Sequence, residues 1–153
     1  MRIRTDFVTN SSSSSFILGF KDEKDMEKQI REYAPIEYAS RMYSDAKRHV
    51  TEISDIKEIY DDYIYWEEYW NVRKRKEMEL NSYIAVYEWE ENNKDEFEKL
   101  IEKEKKRLVK KFEKKLEDVK LFSIVEYEDH CDSELEHEVM PSMPFTIVRL
   151  SHH

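Results

Sequence analysis

The sequence predicts an α+β fold: a small mixed sheet of about four strands packed against several helices, with one β-α-β crossover and a C-terminal antiparallel pair. Three observations predict it. One Gly and three Pro leave little material for tight turns, so long helices and few strands are expected. Apolar side chains recur at helical spacing through the middle of the chain. Short alternating or apolar runs lie near both ends and once between the helices.

The elements follow in order. "IRTDFV" (residues 3–8) alternates enough for a short strand, and "SFILGF" (15–20) reads as a stronger one. Asp22 can cap a helix through Met26, Ile30 and Tyr33 that stops before Pro35. A second helix is expected over 36–50, using Met42, Tyr43 and Ala46. Ser54 can cap a third, with Ile59, Tyr63, Trp66 and Trp70 at helical spacing. That aromatic stripe reads first as core, and Trp66 and Trp70 are its candidate contact residues.

"SYIAVYEWE" (82–90) reads as a strand. Residues 93–119 read as the clearest helix, with Asn93 as cap, Glu96 completing a capping box, and Phe97, Leu100, Ile101, Leu108, Phe112, Leu116 and Val119 as one apolar stripe. "LFSIVEYED" (121–129) and "FTIVRL" (145–150) read as strands. The segment 82–129 is then strand–helix–strand, with parallel strands and a right-handed crossover if both lie in one sheet. The last two strands are expected to pair antiparallel across the long link 130–144.

A chain of 153 residues points to a single domain, 1–153, able to bury roughly two-thirds of its unfolded surface. Charged residues make up 40% and aromatic residues 13%, so a dense charged surface over an aromatic core is expected rather than disorder. A single Cys131 excludes an intrachain disulfide and fits a reducing compartment. No signal-peptide pattern or membrane-length apolar run is present, so the expected location is cytoplasmic. The one glycine, Gly19, excludes P-loops, dinucleotide-binding turns and the nucleophile elbow, each of which needs at least two.

Charge is uneven. Residues 99–120 hold ten Lys/Arg against five Asp/Glu, a local +5, so the rest of the chain carries -14 of the net -9. Residues 126–138 hold seven acidic side chains and no Lys or Arg. The basic helix face (Lys103, Lys106, Arg107, Lys110, Lys114) can touch phosphates, but the acidic remainder repels a long nucleic acid, so protein binding ranks above nucleic-acid binding.

The opening "RTDFVTNSSSSSF" (4–16) resembles an N-terminal motif recurring in small uncharacterised bacterial proteins. The resemblance covers about the first tenth of the chain. It implies a bacterial or phage origin and a serine run that is a motif rather than accidental low complexity; it implies no activity.

Three segments are candidate sites. The serine run, Ser11 to Ser15, reads either as a slack surface loop or as an ordered loop whose hydroxyls and N–H groups hold an anion or a partner. Its apolar flanks favour order. "EYEDHCDSELEHE" (126–138) offers His130, Cys131, His137 and carboxylates, the ligand types for Zn²⁺, at a spacing that matches no metal signature. The metal candidates are His130 and His137, and a solvated acidic loop is the plainer reading. The terminal "RLSHH" reads as a frayed tail or as an ordered pair, His152 and His153.

In the expected hairpin, His152 and His153 lie near Leu121, at the rim opposite the acidic link, because seven strand residues span roughly 23 Å. If the strand after the serine run is parallel to 121–129, the serines share that rim. Ser13 with His152 is then the candidate nucleophile–base pair. The first functional expectation is protein–protein binding, regulatory or inhibitory, to a partner with a basic surface. Its contact residues are Glu126, Glu128, Asp129, Asp132, Glu134, Glu136, Trp66 and Trp70, and no cofactor is expected. The alternative is a metal-binding protein, with zinc the possible ion, or a hydrolase using His130/His137 or the Ser11–Ser15/His152 constellation.

Overall fold

The structure, a computed structural model, describes residues 13–151; within them the side chains of Trp66, Asp129, His130 and Ser151 lie outside the description. The expected strand at 3–8 also falls outside the described residues. The chain divides into two compact units. One is formed by Met1–Ile59 with Leu116–His153, the other by Tyr60–Lys115. The fold is α+β, as the sequence predicts.

The first unit carries a four-stranded sheet: β1 (Ser13–Phe20), β2 (Val50–Thr51), β3 (Leu121–Glu128) and β4 (Thr146–Ser151), in the order β2-β3-β1-β4. Every pairing is antiparallel. β1 is central, flanked by β3 and β4, and all eight of its residues are buried. A strand covered on both faces needs a continuous apolar run, and "FILGF" provides one.

Two helices follow β1. α1 (Glu23–Tyr33) is capped by Asp22, whose Oδ1 accepts from Asp25 N at 2.7 Å, and it ends at Ala34, which Pro35 holds extended. α2 (Ile36–Arg48) buries Met42 and Ala46. The long helix α3 (Ile53–Leu80) starts in this unit and continues into the second.

The link after β3 is helical: α6 (Asp129–Glu134), a π-helical turn (Leu135–Val139) and α7 (Met140–Ser142). Leu135, Val139 and Met140 from this link join Phe16, Leu18 and Tyr127 in the core, with Met26 and Ile30 of α1. The opposite face of β1 holds Gly19. A Cβ there would stand 2.8 Å from Val119 Cγ1 and still closer to Ile147 Cδ1, so only glycine fits without displacing both side chains.

The second unit is all helical: the rest of α3, α4 (Tyr83–Asn92) and α5 (Lys94–Lys115). α3 ends at Asn81, which takes the left-handed conformation (φ 54°) that stops helices. Inside this unit Tyr60 stacks on Phe112 with ring centres 3.8 Å apart, and Phe97 meets Tyr69 and Trp89 edge-on. Burial pushes the Tyr60 hydroxyl up to about 12, with the Glu67 charge adding to it.

Four expectations change. Residues 82–90 form α4, not a strand, so the crossover over 82–129 does not exist. Ser82 Oγ caps α4 by accepting from Ala85 N at 3.2 Å. Moreover Tyr83, Tyr87 and Glu90, at i, i+4 and i+7, lie along one helical face. β3 and β4 are not an antiparallel pair: each is antiparallel to β1, which lies between them, so they run parallel and the link 129–145 is the crossover. The sheet is therefore antiparallel at every pairing rather than mixed. Asn93 stands directly before α5, where its carbonyl accepts from Phe97 N at 2.9 Å, and its side-chain amide donates to Trp89 O of α4 at 2.9 Å.

The strand directions also redraw the map of the rims. Ser13 pairs with Glu128 and Ser14 with Ser151, so the serines, the start of the acidic link and the end of β4 share one rim. The end of β4 is thus at the rim of Glu128, not of Leu121. His152 and His153 lie outside the described residues.

Candidate functional site

Two side-chain clusters stand out, one in each unit. The first lies where the serine run enters the sheet. Ser13, Ser14 and Ser15 are all fully buried, so this half of the run is ordered core strand rather than a loop. Strand alternation puts Ser14 on the same face as Phe16, and its neighbours Tyr127 and Arg149 point the same way. Ser14 Oγ donates to Glu136 Oε1 at 2.7 Å and accepts from Arg149 Nε at 3.2 Å. Glu136 comes from the π-helical turn and its side chain is fully buried. Arg149 Nη2 reaches Glu136 Oε1 at 3.5 Å and His137 Nδ1 at 3.3 Å, while His137 Nε2 stands 3.4 Å from Glu136 Oε2.

This cluster is a clamp. A serine, a carboxylate oxygen and a guanidinium bond one another and tie the crossover to the sheet. Ser13, the expected nucleophile, is buried in the central strand opposite Glu128. Ser11, Ser12 and His152 fall outside the described residues.

The acidic segment is only partly a free acidic surface. Arg41 of α2 donates to Asp132 at 2.7 Å, and Tyr38 donates to Glu134 at 2.5 Å. Asp132 holds the Arg41 pKa up, and the Glu134 bond raises that of the Tyr38 hydroxyl. Tyr127, mostly buried, donates to Asp45 at 3.0 Å. Burial and Asp45 together push its pKa up. Glu126 and Glu128 are half-buried on β3, and the side chain of Asp129 lies outside the described residues. Three of the expected partner contacts, Asp132, Glu134 and Glu136, are thus engaged within the chain. Among the described residues no three His, Cys, Asp or Glu are arranged to hold a metal ion. His137 is committed to Arg149 and Glu136, Cys131 is exposed, and the His130 side chain lies outside the description.

The second cluster is in the helical unit and centres on Arg73 of α3. Arg73 is 5% exposed. Its Nη1 donates to Glu90 Oε2 at 2.7 Å and to Tyr69 Oη at 2.9 Å. Its guanidinium carbon lies 4.4 Å from the Tyr87 ring centre, 5.6 Å from Tyr69 and 5.8 Å from Tyr83. Burial works against its charge, but the Tyr69 hydroxyl and Glu90 outweigh that and hold its pKa up. Tyr83 and Tyr87 meet edge-on with hydroxyls 3.2 Å apart. Trp70 packs edge-on against Tyr69, and Lys76 lies over Trp89 at 4.3 Å.

These contacts connect side chains that stay largely in solvent: Trp70 is 54% exposed, Tyr83 53% and Tyr87 49%, and Ile84 beside them is 71% exposed. The expected aromatic stripe of α3 is therefore split. Ile59 is buried and Tyr63 half-buried, but Trp70 points outward; the buried face further along α3 runs through Tyr60, Ile64, Glu68 and Val72. The Trp66 side chain lies outside the described residues. Sequence reasoning missed Arg73, Tyr83, Tyr87 and Glu90. The signal was available: a serine before an apolar segment whose aromatics also repeat at helical spacing.

Among the described residues no helix is long and apolar enough to cross a membrane. The chain matches no family model, no curated protein and no solved structure, so any functional reading stands on this geometry alone.

Proposed function

We propose that this chain is a bacterial or phage protein that acts by binding another protein, and that the contact is the aromatic face of α3 and α4 rather than the acidic segment. One observation carries the reading: Trp70, Tyr83, Ile84 and Tyr87 are all exposed, Tyr83 and Tyr87 lie against the buried Arg73, and Trp70 packs on Tyr69, which bonds the same arginine. Trp, Tyr and Arg are the residues that dominate binding energy at protein interfaces. Several large apolar side chains left exposed on two neighbouring helices of one unit are a candidate contact surface. The exposed Glu88 follows Tyr87 on α4, while Glu91 is paired with Lys94 at 3.9 Å, so Glu88 is the acidic side chain that suits a partner with a basic rim.

The test is capture from bacterial lysate at low salt, followed by titration of the purified captured protein. Trp70→Ala combined with Tyr87→Ala is expected to weaken binding by about a hundredfold, two hot-spot losses of about 1.4 kcal/mol each. A captured protein that binds the double variant as tightly as the unaltered chain removes the reading. So does failure to retain any protein.

A further inference from the structure

The Arg73 guanidinium is unequally served. Nη1 has two acceptors, Glu90 and Tyr69, whereas Nη2 is buried with no hydrogen-bond partner. A buried donor on a charged group that is left without an acceptor is costly, so a partner atom that accepts from it is favoured. The roof over the guanidinium consists of Tyr83 and Tyr87, both about half in solvent. Rotation of a half-exposed tyrosine about χ1 takes nanoseconds or less and needs no change in the helices.

We infer that Arg73 is the polar anchor of the aromatic face, and that the partner supplies a main-chain carbonyl to Nη2 while its apolar side chains pack on Trp70, Ile84 and Tyr87. The charge balance selects a neutral acceptor. Glu90 already neutralises the guanidinium at 2.7 Å, and the exposed Glu88 adds negative charge on the same helix, so a second carboxylate gains little there. A peptide carbonyl accepts the bond without adding a charge. The exposed Glu88 favours Lys or Arg beside the apolar residues of the bound segment. The inference rests on the binding reading above and adds to it the chemistry of the segment bound.

The experiment uses the whole chain and a phage-displayed library of linear peptides as the probe. An enriched peptide is synthesised, and each of its amide bonds is replaced in turn by an ester, which weakens the carbonyl as an acceptor. One ester is expected to weaken binding to the unaltered chain about tenfold and to have no effect on binding to Arg73→Met, the loss of one hydrogen bond to a charged group. Arginine-labelled wild-type chain provides a second readout that does not depend on the variant folding. The Nη signals of Arg73 shift with the amide peptide and return towards their free position with the ester.

If Trp70→Ala abolishes peptide binding while no ester couples to Arg73, the anchor is wrong and the aromatic-face reading stands. If no enriched peptide is sensitive to Trp70→Ala, or none is enriched, both fall.

Discussion

In the sheet unit Ser14 and Glu136 turn inward, and in the helical unit Trp70, Tyr83 and Tyr87 turn outward. Ser14, Glu136 and Arg149 bond one another inside the first unit through Glu136 Oε1. Trp70, Tyr83, Ile84 and Tyr87 leave about half or more of their surface in water in the second. Each arrangement centres on an arginine. Arg149 closes a clamp that fastens a crossover to a strand. Arg73 organises a surface, and its buried Nη2 remains without a partner. The difference teaches where function is to be sought: a polar cluster bonded to itself inside the core holds the fold, whereas aromatic side chains left in solvent over a buried cation are available for contact.

The comparison is most severely challenged at Glu136. Removing it with Glu136→Ala strips Ser14 and Arg149 of their common acceptor in a buried setting. Urea denaturation is expected to show a loss of about 3–5 kcal/mol, the cost of breaking a buried charged network from one side. A loss below about 1 kcal/mol shows that the clamp does not hold the crossover.

Gly19 tests the opposite face of the same sheet. Gly19→Ala is expected to cost about 1–3 kcal/mol, because the new methyl must displace Val119 and Ile147. An unchanged thermal midpoint shows that these side chains yield freely.

Within the helical unit, Glu68 gives a pH-dependent effect. It is 5% exposed, Oε2 has no hydrogen-bond partner, and burial raises its pKa, partly offset by Lys105. A carboxyl with a raised pKa in the folded state contributes most below the ordinary glutamate value. That contribution is lost as pH climbs from the ordinary value through the raised one. Glu68→Gln is therefore expected to raise the unfolding midpoint at pH 7 and to leave it little changed at pH 3.5. A destabilised variant at pH 7 means that the charged form is the one the unit needs.

The smallest expected stability change belongs to Trp70. Trp70→Ala removes a side chain that is 54% exposed, and its effect on unfolding is expected within about 0.5 kcal/mol. A loss above about 2 kcal/mol makes Trp70 a packing residue and withdraws it from the proposed contact face. Read together with the Glu136 result, it asks directly whether the two units differ as described.

Much of the fold was legible from the residues. β1, α1, α2, α5, β3 and β4 were all visible in alternation, caps or an apolar stripe, and Asp22 and Pro35 bound α1 as their chemistry requires. The two-residue β2 was too short to leave a pattern. α4 was misread because Tyr83, Ala85, Tyr87 and Trp89 alternate like a strand, while Tyr83, Tyr87 and Glu90 also share a helical face. Aromatic and β-branched residues favour strands only where a sheet receives them. Here the Ser82 cap and the grip on Arg73 decide for helix.

The candidate sites were less legible. The acidic run looked free because its partners, Tyr38, Arg41, Ser14 and Arg149, are distant in sequence. Composition and periodicity by themselves determined the α+β class, the glycine-dependent chemistries that are excluded and the apolar stripe of α5, because these are local or additive properties of residues. Tertiary structure alone decided that β3 and β4 flank β1, that the serines are core and that Arg73 gathers three tyrosines. Strand direction and charge pairing depend on contacts between residues far apart in the chain, and no local pattern encodes them.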